Sequence, residues 1–176
     1  MTDFARLVEA EIPRLRRYAR ALHRGNVTAA DDLVQEALAR AVAKQHLWQP
    51  GTNLRAWLFT VMHNQHVNYV RRAAREGTTV DVDDVHNILV SPSDPTVSLL
   101  LRDLNRGLAK LQVEQRQTIL LIGLEGMSYE EVARILSIPI GTVRSRLSRG
   151  RLQLRRLMGM DAAAAAAPAL PLAMAA

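Results

Sequence analysis

Cysteine is missing altogether from the 176 residues. That excludes disulfide scaffolds and cysteine-based zinc or redox centres, and it fits a reducing compartment. Aromatic residues are scarce, at 2 Trp, 3 Tyr and 2 Phe. β-Branched runs are short as well, so little in the chain favours a sheet. No apolar run is long enough to cross a bilayer. The most apolar stretch, 162–176, falls short of the roughly 20 residues a span needs and contains Pro168 and Pro171. The opening MTDFARLVEAEIPRLRR carries charge throughout and lacks the apolar core of a secretion signal. The expectation is a cytoplasmic protein without membrane insertion. Enzyme signatures are absent too: no Gly-rich phosphate loop, no nucleophile with a base, no acidic metal cluster. We therefore expect no catalytic centre, no cofactor and no metal.

What is present favours helix. The chain is 48% hydrophobic, enough to bury a core, and Ala, Leu and Arg dominate. Charge is distributed in blocks. Residues 1–76 carry 12 Lys/Arg against 7 Asp/Glu, a net +5. Residues 77–96 carry no Lys/Arg against 4 Asp, a net −4, and residues 97–176 carry 11 against 6, again +5. Two basic blocks flank an acidic strip. Basic blocks attract polyanions, most often nucleic acid, although charge alone leaves open two solvated helical surfaces.

Helical periodicity recurs along most of the chain. Leu7, Ile12, Leu15, Tyr18 and Leu22 outline a first helix that stops near Gly25. Thr28 is placed to cap the next, with Asp31 at capping-box spacing, and Leu33, Ala37, Leu38 and Ala41 form its apolar stripe. Gln49-Pro50-Gly51 breaks the chain. A third helix begins near Asn53, turns Leu54, Leu58, Val61 and Met62 inward and runs to about Arg75. Residues 77–96 lose the rhythm and read as a linker, whose 20 residues reach about 70 Å when extended, roughly two turns of B-DNA. Asp94-Pro95 matches a cap followed by proline at the first helical position. Val97, Leu101, Leu104, Leu108 and Leu111 then trace an amphipathic helix, and another spans about Val113 to Leu124. From Asp161 onward the chain is an Ala/Pro tail that reads as disordered.

The most informative stretch is MSYEEVARILSIPIGTVRSRLSRGR, residues 127–151. Ser128 and Glu131 are spaced as a capping box, with Val132, Ala133 and Leu136 on the inner face. Ile138-Pro139-Ile140-Gly141 reads as a tight turn, and Thr142 as the cap of a second helix with Val143, Leu147 and Leu154 inward. The opposite face displays Arg144, Ser145, Arg146, Ser148, Arg149 and Arg151. Six arginines and no acid fall between 142 and 156. This is the pattern of a helix-turn-helix whose second helix lies in the major groove. Early residues then meet base edges, where arginine holds guanine bidentately, and later arginines bind phosphate.

At these residues the chain resembles the extracytoplasmic-function sigma factors. EGMSYEEVARILSIPIGTVRSRLSRGR is similar to the region of that family that reads the −35 promoter element. DDLVQEALARA, residues 31–41, resembles the helix that docks on the polymerase clamp. LWQPGTNLRAWLFTVMHNQHVNYVRR, residues 47–72, resembles the segment that opens and reads the −10 element. The three motifs stand in the family's order and spacing across about 8–158, and QPGTNLRAWLFTVMHN looks like the general-stress branch. The resemblance implies an all-α fold of two small helical domains joined by a flexible acidic linker. A polymerase-core and −10 domain would occupy 1–76, the linker 77–96, a helix-turn-helix domain 97–159, and the tail 160–176. It also implies three partners: the RNA polymerase core, promoter DNA (both duplex and the melted non-template strand), and an anti-sigma protein.

The implied −35 readers are Thr142, Arg144, Ser145, Arg146, Ser148, Arg149 and Arg151. The implied −10 readers are Trp48, Gln49, Asn53, Asn64, Arg71 and Arg72, with Trp48 and Asn64 at the flipped base and its neighbour. Their chemistry agrees, since trapping unpaired bases takes aromatic or amide groups backed by phosphate-binding cations. Asp31, Asp32, Gln35 and Glu36 are implied to contact polymerase, while an acidic first turn also suits the helix dipole. Trp57 is expected in the core, Phe59 on either side, and His63 and His66 on a polar DNA-facing or solvent side. Gln112 replaces a frequent proline, and Ser148 a bulkier residue. Gly150 replaces an alanine, at about 1 kcal/mol of helix propensity. Two other readings remain: a polymerase-independent helix-turn-helix regulator, and a sigma-like decoy that captures an anti-sigma protein.

Overall fold

The computed structural model of the chain describes residues 3–76 and 95–160, all-α with no strand among them. A first group of helices contains α1 (Asp3–Leu22), α2 (Val27–Ala43) and α3 (Leu54–Glu76). A second contains α4 (Pro95–Lys110), α5 (Val113–Ile119), α6 (Tyr129–Leu136) and α7 (Ile140–Leu157). Most of the linker, 77–94, and the Ala/Pro tail from 161 lie outside the described residues. Pro95 and Thr96, read with the linker, belong to α4, and Pro95 opens that helix as expected.

In the first group, α2 packs on both α1 and α3. Leu15, Tyr18 and Leu22 of α1 are buried with Leu33, Val34, Ala37 and Ala41 of α2 and Leu58, Phe59 and Met62 of α3. Phe59 faces inward, edge-on to Tyr18 with ring centroids 5.1 Å apart. Trp57 is half-buried against the same core. Leu7 departs from its expected inward position: it is 44% exposed, and Val8 takes the core site. The cap of α2 is Asn26 rather than Thr28, since the Asn26 side chain accepts from the Ala29 N–H at 2.9 Å. Asparagine and threonine are both good caps, and the left-handed Arg24 and Gly25 bring the chain into the helix two residues earlier. Asn53 caps α3, its Oδ1 accepting from the Ala56 N–H at 3.0 Å.

In the second group the helix predicted over 113–124 splits. α5 ends at Ile119 and passes into a π-helical turn, Leu120–Leu124. Two glycines set how closely its helices approach. A Cβ on Gly150 of α7 would lie 2.9 Å from Ile119 Cδ1 and 3.2 Å from Gln115 Cβ, both on α5. One on Gly107 of α4 would lie 2.7 Å from Leu154 Cδ1 on α7. Gly150 therefore gives up helix propensity for close packing of α7 on α5.

The two groups do not stand apart. α1 packs on α4, on α5 and on the π turn, and α6 packs on α3, so buried side chains from both form one continuous core.

Candidate nucleic-acid and polymerase interfaces

The helix-turn-helix is built as its sequence requires. The Ser128 hydroxyl accepts from the Glu131 N–H at 3.1 Å, and Glu131 Oε2 accepts from the Ser128 N–H at 2.9 Å, closing the capping box. Ser137, in the left-handed conformation (φ 53°), ends α6. The Ile138 N–H bonds Ala133 O and the Ser137 N–H bonds Arg134 O, a Schellman closure. The turn thus spans 137–139, one step ahead of its expected place, and Ile140 and Gly141 are already helical. Thr142 is not the cap of α7. Pro139 precedes that helix, and Thr142 lies inside its first turn.

With Val143 and Leu147 buried, α7 turns Arg144, Ser148, Arg149 and Arg151 to solvent. Ser145 and Arg146 are half-buried. The Ser145 hydroxyl donates to Thr142 O, and the Arg149 guanidinium donates to Ser145 O and Oγ at 3.3 and 3.2 Å. Tyr129, Arg144, Ser148, Arg151 and Arg155 line a groove between α6 and α7, a cationic trough of the kind that takes phosphate.

On the first group, Asn64 and Arg71 follow Asn53 at intervals of 11 and 7 residues, which places all three on one face of α3. Asn64, Arg71 and Arg72 are exposed. Trp48 is elsewhere. It is half-buried, its ring centroid 5.5 Å from Phe4, and its indole N–H is buried with no hydrogen-bond partner among the described residues. Gln49 is exposed on the loop, its carbonyl accepting from Thr52 Oγ1 at 2.7 Å. Asp32, Gln35 and Glu36 of α2 line one groove of about 460 Å³ with Tyr69 and Arg72 of α3 across from them. Asp31 does not line it and is half-buried.

The polar contacts between the two groups were beyond sequence reasoning. Arg17 donates to Glu125 Oε1 through Nη2 at 2.9 Å and Nε at 3.2 Å, and to Leu124 O. Arg116, almost wholly buried, donates to Leu108 O, Ala109 O and Leu111 O, and across the seam to Leu22 O at 2.8 Å. One guanidinium thereby closes the C-terminal ends of α4 and α1, where helix dipoles favour a cation. Burial, with Arg24 nearby, brings it down to about 10, so it stays charged at neutral pH. Asn53 Nδ2 donates to Glu131 Oε1 at 2.6 Å. The one signal in sequence was Arg116 itself, the single basic residue within VEQRQTILLIGL.

Of the two histidines expected on a polar side, His66 is buried and His63 half-buried. His66 is buried, edge-on to His23 with centroids 5.4 Å apart, and His23 is edge-on to Tyr69 at 6.0 Å. Burial, then the charge of Arg116, lowers His23 to about 4. Burial, then His23, His63 and Arg116, lowers His66 to about 3. His63, half-buried, is lowered by burial and by Arg146 of α7. No helix among the described residues is long and apolar enough to cross a membrane.

Two family models match the chain. Residues 8–63 match the model described as the Sigma2 domain of PhyR, and residues 101–154 match Sigma-70, region 4. A relative from Rhodopseudomonas palustris, ECF RNA polymerase sigma factor EcfG, is 39% identical, the alignment covering 88% of this chain and 84% of the relative. Among solved structures, the sigma factor RpoE of Bartonella quintana, in complex with the anti-sigma factor NepR, is 37% identical. It superposes with a TM-score of 0.77, covering 92% of this chain and 99% of that one. CnrH, in complex with the cytosolic domain of CnrY, is 26% identical with a TM-score of 0.64, covering 90% and 88%.

Proposed function

The chain belongs to the extracytoplasmic-function RNA polymerase sigma factors, and from that membership we propose that its two groups of helices divide promoter recognition between them. It is an alternative sigma factor, binding core RNA polymerase and directing promoter-specific initiation. Residues 1–76 dock on polymerase through Asp31, Asp32, Gln35 and Glu36. They read the melted −10 strand along the Asn53–Asn64–Arg71 face with Arg72, aided from outside that face by Gln49 on the loop and by Trp48, which packs on Phe4. Residues 95–159 read the −35 duplex through Thr142, Arg144, Ser145, Arg146, Ser148, Arg149 and Arg151. The protein works by binding, without a catalytic centre, in the cytoplasm where polymerase acts. An anti-sigma protein that touches both groups of helices and competes with polymerase holds it silent, by analogy with the NepR complex of the Bartonella relative.

The observation that carries this reading is α7: a helix set by the turn after the capped α6, whose inner stripe is buried and whose outer face presents arginine and serine without an acid. The test is RNA synthesis by reconstituted core polymerase on a promoter selected with this chain. Arg149→Ala should weaken the selected −35 sequence by about 1–3 kcal/mol if it reads a base. Equal loss on random DNA would reassign Arg149 to phosphate. A decoy reading is favoured only by the Sigma2-of-PhyR match at 8–63. A decoy would support no promoter-dependent synthesis, and a polymerase-independent regulator would not co-purify with core enzyme.

A further inference from the structure

Where α1 meets the second group of helices, the packing leaves an open groove of about 220 Å³. Its walls are aliphatic: Ala21 of α1, Leu104 and Leu108 of α4, Ile119 of α5 and Leu120 of the π turn. One polar group interrupts them. Asn105 lines the groove and is 1% exposed, and its Oδ1 is buried with no hydrogen-bond partner among the described residues. A buried amide oxygen without a donor forgoes the bond it would make in water. A water molecule is a poor donor here, since it needs further polar partners and the other walls are hydrocarbon. The position instead favours a molecule that brings one donor on an apolar body.

Two features keep the groove open. Leu120–Leu124 is a π turn, a local widening of the helix that is frequent at functional sites. Gly123 within it lines the groove and is exposed, and a Cβ there would meet nothing within 4 Å. No close approach requires glycine at this position, unlike Gly107 and Gly150, and a larger side chain would enter the groove's mouth.

We propose that the groove is a binding site for a neutral aliphatic alcohol of about eight carbons, its chain along the leucines and its hydroxyl donating to Asn105 Oδ1. The size follows from the volume. An apolar cavity of about 150 Å³ takes the six carbons of benzene, so 220 Å³ takes roughly eight or nine. Neutrality follows from the walls. Among the described residues none that lines the groove is charged, and an unpaired carboxylate or ammonium buried there would be costly. The walls also carry no aromatic ring on which a ligand ring could stack, which favours a chain. The bound alcohol touches α1 on one side and α4, α5 and the π turn on the other, so its occupancy stabilises the whole chain by linkage.

The full chain titrated with 1-octanol tests this. The Ile119 δ-methyl and the Asn105 side-chain amide are followed by NMR, and unfolding by circular dichroism. Both NMR signals should move and saturate, and the thermal midpoint should rise with them. 1-Methoxyheptane, an isomer with an ether in place of the hydroxyl, should bind about fivefold more weakly, the worth of one hydrogen bond. Asn105→Leu should lose that preference. Gly123→Leu should fill the mouth and weaken 1-octanol binding about tenfold or more, the loss of roughly two buried methylenes. Should Gly123→Leu lose its cooperative unfolding, Gly123→Ala replaces it, with an expected loss of about fourfold. Signals that drift without saturating, as an alcohol acting only as cosolvent produces, would overturn the site. So would native-level binding by the filled variant, or equal binding of the two isomers by the native chain.

Discussion

Glu125 has a fully buried side chain, and its carboxylate is met by Arg17, 108 positions earlier in the chain, at 2.9 Å. The arginine remains 40% exposed. The two partners therefore differ in what their loss leaves behind. Removing Arg17 strands a buried carboxylate, whereas removing the carboxylate frees a guanidinium that already reaches water. Arg17→Ala should cost about 1–3 kcal/mol, below the range for wholly buried pairs because Arg17 is partly solvated. Glu125→Gln should cost less. Urea midpoints of the two variants check the order, and a reversed order would remove the asymmetry of burial as its cause.

Gly150 is the second site of prediction. Alanine there regains about 1 kcal/mol of helix propensity but meets Gln115 Cβ at 3.2 Å and Ile119 Cδ1 at 2.9 Å. These effects oppose, so Gly150→Ala should be near neutral. Gly150→Leu forces α7 off α5 and should destabilise by about 1–3 kcal/mol. Thermal unfolding of both variants decides whether helix propensity or packing governs the position.

Acid should weaken the fold through the buried histidines. His23 and His66 are held near 4 and 3, below their ordinary 6.5, chiefly by burial. The unfolded chain takes up protons at 6.5 while the folded chain refuses them. Stability is therefore undiminished above pH 6.5 and falls as pH drops from 6.5 toward 4. The slope approaches roughly 1.4 kcal/mol per pH unit for each histidine that the unfolded chain protonates and the folded chain does not. His66→Leu should flatten the profile in that window. A profile as steep as native would assign the acid sensitivity to other groups.

The acidic turn of α2 gives a prediction about polymerase. Asp32 and Glu36 are exposed and line one groove, so Asp32→Arg with Glu36→Arg should leave the helical circular-dichroism spectrum unchanged. It should abolish recovery of core polymerase in a pull-down. Native-level recovery would detach the turn from docking.

Much of the fold was legible in sequence because its signals are local. The capping box at Ser128 and Glu131, the proline opening α4 and the apolar stripe of α3 each act within a few residues. Errors arose where two local solutions have similar energies. Asn26 and Thr28 are both competent caps, and the residues after Ser137 fit either a longer turn or an earlier helix. The face of α7 was readable because its inward residues repeat at helical spacing. Arg17, Arg116 and Glu125 were not, because a partner about 100 residues away leaves no periodic trace. Gly150 looked like a defect in α7 until α5 was seen to lie against it. His66 was misplaced for a similar reason: His23, in the turn after α1, and Arg116 of α5 are among its neighbours, and both are distant in sequence.

Arg116 has a consequence for how this protein is taken apart. The guanidinium seals the last turn of a helix on each side of the seam. A fragment ending before α4 leaves the Leu22 carbonyl to water alone, whereas a fragment beginning at Pro95 keeps three of the four acceptors. Separated pieces are thus unequal stand-ins for the whole, and the amino-terminal one surrenders a tether it does not itself encode. Swapping either piece into a homologue would transplant half of a shared knot, and such chimaeras should be judged by whether position 116 still finds a helix end to bind.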